Sequence, residues 1–315
     1  MKVISMLGGL GSQMVKYAFY IAMKNQTDED CYIDTSYFLQ KKSWNGYEIS
    51  KIFNQNAEDL VDFFDSELID NIKNNRVDYR TAALKYMSNK GKVYYYFLGR
   101  KSRFFDNKIN EIWRKIDHKL LMLKLCFGKQ SKYPLDYATS NENAYFDEYK
   151  MNSDILFADY KDKIQEAFTF PPFNDEKNER LAEMLSHGNS VSLHVRRSDH
   201  LSDNGKLFDK QYYKKAVEFI KKKTGTPQKY CIFSDDLTWC KNNLAELGLD
   251  SSDDIIFVDW NKKENSYKDM QLMTCCQHNI IPISSFSWWG YYLSKMENKI
   301  VCAPIGCWEE VEYHF

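Results

Sequence analysis

From residue 190 onward the chain repeats one plan, in which a short apolar run is followed by a polar junction and then an amphipathic helical stretch. SVSLHV (190–195) precedes YYKKAVEFIKKK (212–223), and KYCIF (229–233) precedes LTWCKNNLAEL (237–247). IIFVDW (255–260) leads into YKDMQLMTCC (267–276), NIIPIS (279–284) into FSWWGYYLSKM (286–296), and KIVCAP (299–304) closes the series. Strands alternating with helices predict a parallel, doubly wound sheet. Ligands of such sheets bind beyond the carboxyl ends of the strands. The chemistry of this half is therefore sought at its strand-to-helix junctions.

The N-terminal half begins with the same signature. A strand over 2–7 is followed by MLGGLGSQMVKYAFYIAM (6–23), whose Gly8, Gly9 and Gly11 lie before a helix starting near Ser12. That helix carries Met14, Val15, Ala18, Ile21 and Ala22 on one face, and CYIDTS (31–36) reads as the next strand. Glycines serve where φ is positive or where a ligand approaches the backbone. The dinucleotide fingerprint fails because Met14 stands where a small residue is needed, and no phosphate-loop pattern occurs. A plain tight turn and a ligand contact both remain open. Residues 55–170 read as long, aromatic and mostly helical, with few strands. Within them, 100–129 form a basic amphipathic stretch, which suits either a solvated domain face or an interfacial helix near anionic lipid. TFPPF (169–173) breaks the helical pattern. It divides the chain into 1–172 and 173–315, two Rossmann-like units expected to face each other across a cleft.

Composition narrows the class. With 43 basic and 44 acidic residues the net charge is −1, which offers no global attraction to nucleic acid. The eight cysteines, Cys275 and Cys276 adjacent, show no framework spacing and read as reduced thiols of a cytosolic compartment. The chain opens without a basic-then-apolar leader, and no apolar run approaches the roughly 18 residues needed to span a bilayer. A soluble cytoplasmic protein is expected, at most peripheral to the inner membrane.

Four junctions are candidates for chemistry. HVRRSD (194–199) sets two arginines at a strand end. One reading is an ion pair with Asp199 and one solvated arginine; the other turns an arginine toward an anion, which its planar donors bind bidentately. SSFSWWG (284–290) offers serine helix caps or, equally, a helix N-terminus open to phosphate. Asp269 suits a guanine edge or a helix cap. FSDD (233–236) lacks the D-x-D form of metal-dependent sugar transferases, so Asp235 and Asp236 read as loop and capping residues. CCQH (275–278) has no second pair to complete a zinc site.

GGLGSQMVKYAFYIA, HVRRSD, FSDDLTWCKNNL and DMQLMTCCQHNIIPISSFSWWGYYL together resemble bacterial glycosyltransferase family 11, the α-1,2-fucosyltransferases, from residue 1 to about 304. The resemblance implies a two-domain GT-B fold, a GDP-β-L-fucose donor and no cofactor or metal. It implies inverting transfer to the 2-hydroxyl of a galactoside, in a surface glycan such as an O-antigen or its lipid-linked precursor. It implies that Arg196 holds the donor phosphates and that His194 and Asp269 lie near the guanosine. Gly9, Gly11, Ser12 and Gln13 would approach the diphosphate from the acceptor-side domain 1–172. Ser284, Ser285 and Ser287 would meet the donor at their helix end in the GDP-sugar domain 173–315. Asp199 is the acid beside the arginines, catalytic or merely orienting, with Asp203 next nearest. Ser12 replaces the usual Asn, Ser198 and His200 the usual Gly and Tyr, and Pro282-Ile283 the usual Ala-Asn. These departures bear on linkage more than on reaction class. They leave α-1,6 transfer, or a non-catalytic glycan- or nucleotide-binding protein, as alternatives.

Overall fold

The structure is a computed structural model that describes residues 1–97, 100–103, 142–147, 157–197, 209–304 and 313–314. It divides into two compact units, Met1–Ala167 and Phe168–Phe315. The division falls just before the proline-containing segment rather than at residue 172, because that segment belongs to the second unit. The Phe168 ring packs edge-on against Trp289 at 5.0 Å, and Gln271 Nε2 donates to the Pro171 carbonyl at 2.7 Å.

In the first unit, β1 (Lys2–Ser5), α1 (Leu10–Lys24) and β2 (Cys31–Asp34) form the expected strand–helix–strand unit. Helices α2 (Ser36–Gln40), α3 (Ile49–Phe53), α4 (Ser66–Lys73) and α5 (Tyr79–Ser88) follow. After them come β3 (Val93–Phe97), β4 (Arg100–Arg103), β5 (Asn143–Phe146) and α6 (Lys161–Ala167). The sheet order is β2-β1-β5-β3-β4, parallel throughout except for the antiparallel β3–β4 pair. The mostly helical reading of 55–170 is thereby corrected, since three strands of this sheet come from that stretch. VYYYF is all β-formers with no polar alternation, and NAYF is buried after its first residue, so neither shows the period of a half-exposed strand. Residues 100–103 are strand rather than helix, and the remainder of the basic stretch, 104–129, lies outside the described residues.

The second unit is the regular one. Its elements are α7 (Glu176–Ser186), β6 (Ser190–Val195), α8 (Lys210–Thr224), β7 (Lys229–Ser234), α9 (Leu237–Asn242) and β8 (Asp254–Phe257). They continue with α10 (Tyr267–Thr274), β9 (His278–Ile280), α11 (Ser285–Tyr292), β10 (Val301–Ala303) and β11 (Tyr313–His314). The sheet order is β11-β10-β9-β6-β7-β8, with every pairing parallel. All six residues of β6 are buried, as expected of a central strand covered on both faces. Val191, Leu193 and Ile232 pack there with Val217 and Ile220 of α8. Each such fully buried aliphatic side chain contributes about 1.5–3 kcal/mol.

The order places β6 beside both β7 and β9. The chain leaves β6 toward β7 and β8, then returns to lay β9 on the other side of β6 and moves outward to β10. The direction of winding therefore reverses between β6 and β9, and a doubly wound sheet opens its ligand crevice at such a reversal. Among the described residues, no helix is long and apolar enough to cross a membrane.

Candidate active site

At the β6–β9 reversal the register sets Leu193 beside Ile280, so HVRR leaves β6 where PISSFS leaves β9. The His194 ring lies 6.0 Å from Phe286, the second residue of α11, which ties the two junctions together. The first turn of α11 has no acidic residue, and Ser284 at its N-cap makes no capping hydrogen bond. Ser284 is 6% exposed, and its Oγ finds no hydrogen-bond partner among the described residues. Ser287 Oγ reaches back only to the Ser284 carbonyl at 3.5 Å, a marginal contact. Ser285, half-buried, begins the helix. An uncapped helix start with a buried hydroxyl in its mouth favours an anion, because its N–H groups and dipole are unopposed.

The two arginines differ. The Arg197 guanidinium lies over the Trp239 indole at 4.0 Å and its Nε is 3.6 Å from Asp236 Oδ2. Its backbone N–H donates to Asp235 Oδ1 at 2.9 Å. Asp236 also caps α9, accepting from the Trp239 N–H at 3.0 Å. The FSDD junction thus holds its neighbour's loop, as the capping reading expected. Arg197 thus meets Asp236 from the adjacent strand end; Asp199 and Asp203 lie outside the described residues. Arg196 is half-buried at the end of β6, and its backbone meets the Tyr213 hydroxyl of α8.

Asp269 lies in the first turn of α10 and accepts from Asn261 Nδ2 at 2.9 Å. Asn261 in turn exchanges amide hydrogen bonds with Asn178, which is anchored by Asp175 and by Trp260 Nε1. The Asp269 carboxyl is crowded by protein although part of the residue is accessible. Desolvation pushes it up to about 7, against the single hydrogen bond from Asn261.

In the first unit, Gly8 has φ +84, a left-handed value that favours glycine. Gly9 answers to a different demand. A Cβ there would meet the Trp44 indole at 3.3 Å, so the close approach is made by a side chain of the same chain. Gln13 is fully buried; its Nε2 donates to the carbonyls of Gly8 and Gly46, both at 2.9 Å, and its Oε1 accepts from Glu48 N–H at 2.8 Å. Both amide hydrogens are spent on protein, which makes Gln13 a staple between two loops and leaves it no donor for a ligand. Gly11 is buried within α1, whereas Ser12 is half-buried in a first turn that has no side-chain cap and no acidic residue.

Three features at this sheet end escaped the sequence reading. Asp34 ends β2 fully buried; burial pushes its carboxyl up to about 6, opposed by hydrogen bonds from Ser36 and from Tyr145 Oη. Asp147, just past β5, is buried and accepts from Arg80 Nε and from Tyr95 Oη at 2.7 Å. Trp44 is 63% exposed with φ +55, a conformation that costs a bulky residue about 1–3 kcal/mol. Its only signal in sequence was the turn-like Trp-Asn-Gly at 44–46. Among the described residues no cluster of His, Cys, Asp and Glu is arranged to hold a metal.

A family model described as Glycosyl transferase family 11 matches residues 8–310. An Alpha-1,2-colitosyltransferase of Escherichia coli is 35% identical over 162 residues, covering 50% of this chain and 53% of that protein. A Galactoside alpha-(1,2)-fucosyltransferase 1 of Ateles belzebuth is 26% identical over 151 residues, 44% of this chain and 40% of that protein. The chain thus spans about half the length, or less, of these curated relatives. The crystal structure of fucosyltransferase NodZ from Bradyrhizobium aligns with 92% of this chain and 91% of its own, at 14% identity and a TM-score of 0.49.

Proposed function

Because the chain belongs to glycosyl transferase family 11, we propose that it moves L-fucose from GDP-β-L-fucose to the 2-hydroxyl of a galactoside, with inversion and without a metal. The second unit binds the GDP-sugar and the first presents the acceptor, a bacterial surface glycan or its precursor. The observation that carries this reading is the uncapped start of α11, with the buried Ser284 hydroxyl unpartnered among the described residues.

Transfer from a nucleotide sugar builds positive charge on the departing sugar and negative charge on the leaving diphosphate. Preorganised donors must meet that negative charge as it grows. The N–H groups of Ser285 and its neighbours, Ser284 Oγ and Arg196 take this role. Arg197 is already committed to Trp239 and Asp236, which makes Arg196 the better placed of the pair. His194 and Asp269 take the guanosine, Asp269 as an ionised acceptor for a guanine edge. In the first unit, Gly11 and Ser12 of the uncapped α1 turn keep an anion-binding role, while Gly9 and Gln13 shape the loop.

The colitosyl relative suggests one alternative donor, since colitose is fucose without its 3-hydroxyl. Presenting GDP-fucose, GDP-colitose and other GDP-sugars with a galactoside panel, then assigning the product linkage by NMR, tests the whole reading. A 1,2-linked fucoside formed in EDTA supports it. Absence of GDP-sugar turnover with every acceptor, or activity that returns only with Mn²⁺, overturns the corresponding part. Peripheral contact of residues 100–129 with anionic membrane belongs to the same proposal and is tested by liposome co-sedimentation.

A further inference from the structure

Trp44 is the most exposed large apolar side chain described, at 63%, ahead of Phe63 at 47% and Met184 at 46%. A single exposed aromatic is ordinary. What sets this one apart is its backbone. Of the other non-glycine residues with positive φ, Asn54, Asn75, Asn189 and Asn298 are of the type that tolerates the left-handed region, and Lys263 is the remaining one. A tryptophan there is an outlier that folding alone does not favour, since glycine or asparagine would adopt φ +55 at less cost.

The surroundings hold it in place. Gln13 fixes Gly46 and Glu48 on its C-terminal side, Asn45 Nδ2 donates to Glu48 Oε1 at 3.0 Å, and the Gly46 N–H returns to the Ser43 carbonyl at 3.3 Å. Part of the indole, through Cδ2 and Cε3, rests against Gly9, which lacks the Cβ that would crowd it. The residue is exposed beside the loop that follows β1, at the carboxyl end of a mainly parallel sheet where open α/β units take their ligands. Strain held by its surroundings and spent on exposing an apolar ring at a ligand edge points to binding.

We propose that Trp44 is the platform on which the acceptor sugar stacks, and that its ligand is a β-galactopyranoside. The identity of the sugar rests on the function proposed above. In galactose the axial 4-hydroxyl leaves the hydrogens on C3, C4 and C5 together on one face, a contiguous apolar patch that fits an indole. Hydroxyls on the opposite face stay free for polar contacts.

The test measures binding of methyl β-galactoside and of GDP separately, in the full chain, by NMR titration of wild type, Trp44→Gly and Trp44→Phe. Trp44→Gly should weaken the galactoside about tenfold, the loss expected of one aromatic stacking contact. GDP affinity should stay within about twofold and the melting temperature should hold or rise, because glycine relieves the strain. Trp44→Phe should recover part of the galactoside affinity. Unchanged galactoside binding in Trp44→Gly, or no galactoside binding by wild type, overturns the platform. So does a parallel loss of GDP affinity, which would mean loop packing or base stacking instead. If wild type binds the galactoside through Trp44 but binds no GDP, the platform stands and the proposed transferase reading fails. If wild type transfers sugar while Trp44→Gly keeps its galactoside affinity, the reverse holds.

Discussion

The Arg197 guanidinium stacks on the Trp239 indole at 4.0 Å while the adjacent Asp236 both approaches its Nε and caps the helix carrying Trp239. One arginine of the Arg196–Arg197 pair is thus built into the join between β6, β7 and α9. A cation–π contact of this kind contributes about 0.5–2 kcal/mol, and the partly exposed Asp236 pair adds little to that. Arg197→Ala should therefore lower the melting temperature by a few degrees and change GDP affinity little. Arg196→Ala should do the opposite, lowering kcat and donor affinity together by about 10² to 10³, in line with loss of one oxyanion donor. Arg196→Lys should rescue poorly, because a point charge lacks the bidentate fork. Thermal melts and donor kinetics on the variants check both, and the reverse pattern would exchange the two roles.

Gln13 binds three backbone groups from two loops. Gln13→Ala leaves two carbonyls and one N–H to be satisfied by whatever water can enter, and a buried unpaired group costs about 1–3 kcal/mol. A loss of about 3 kcal/mol is expected, read as a lower denaturant midpoint. Gln13→Glu keeps the shape but sets a carboxylate against the Gly8 and Gly46 carbonyls. It should be at least as damaging. If Gln13→Glu is tolerated, the amide is not acting as the staple its contacts describe.

The alternation after residue 190 was legible because central parallel strands are buried on both faces and read as unbroken apolar runs, as Val191, Leu193 and Ile232 show. The junctions were legible for the same reason, since each run ends where the polar residues begin. What the sequence hid depends on partners distant along the chain. Phe146 belongs beside Ile4, which no local pattern of NAYF announces. The contact of Arg197 with Asp236 comes from the parallel register that sets Val195 beside Ser234, which HVRRSD read alone does not show. Gly9 read alone suits a turn or a ligand contact; that the loop stapled by Gln13 brings Trp44 against it is not visible in the local sequence.

Asp269 gives a pH dependence with opposite signs for stability and binding. Its carboxyl is raised from an ordinary value of 3.8 to about 7 by desolvation. A raised acid holds its proton more tightly in the native state, so its contribution to stability is complete below about pH 4 and is lost as pH rises through 7. Asp34, raised to about 6 by its burial, loses its contribution over a lower window with the same sign. Binding a guanine edge requires the ionised Asp269, so GDP affinity should rise from pH 6 to 8 as apo stability falls. Asp269→Asn should flatten the part of both curves centred near pH 7 and weaken GDP. Calorimetric titration of GDP against pH, with the variant alongside, isolates this group from the titration of the nucleotide itself. A wild-type affinity curve that the variant reproduces would remove Asp269 from the guanine site.

Ser284 offers the sharpest separation of structure from function. A serine that caps a helix accepts from a first-turn N–H, and replacing it by alanine costs about 1 kcal/mol. Asp209 is such a cap, accepting from the Gln211 N–H at 2.9 Å at the start of α8, and Asp209→Ala should show that cost with no change in GDP binding. Ser284 stands at the same position of α11 without making the bond, and among the described residues its buried hydroxyl meets no acceptor or donor. Ser284→Ala removes a desolvated polar group, so the free protein should melt at the same temperature or slightly higher. A diphosphate in the mouth of α11 supplies the partner that the protein withholds. A hydrogen bond to a charged group contributes about 1.5–3 kcal/mol, which corresponds to a loss of about 10- to 100-fold in GDP affinity in the alanine variant. Melting curves of the free variants together with GDP titrations distinguish the cases. Stability lost with GDP affinity retained would make Ser284 an ordinary helix cap; stability retained with affinity lost is the signature of a hydroxyl kept for the phosphate.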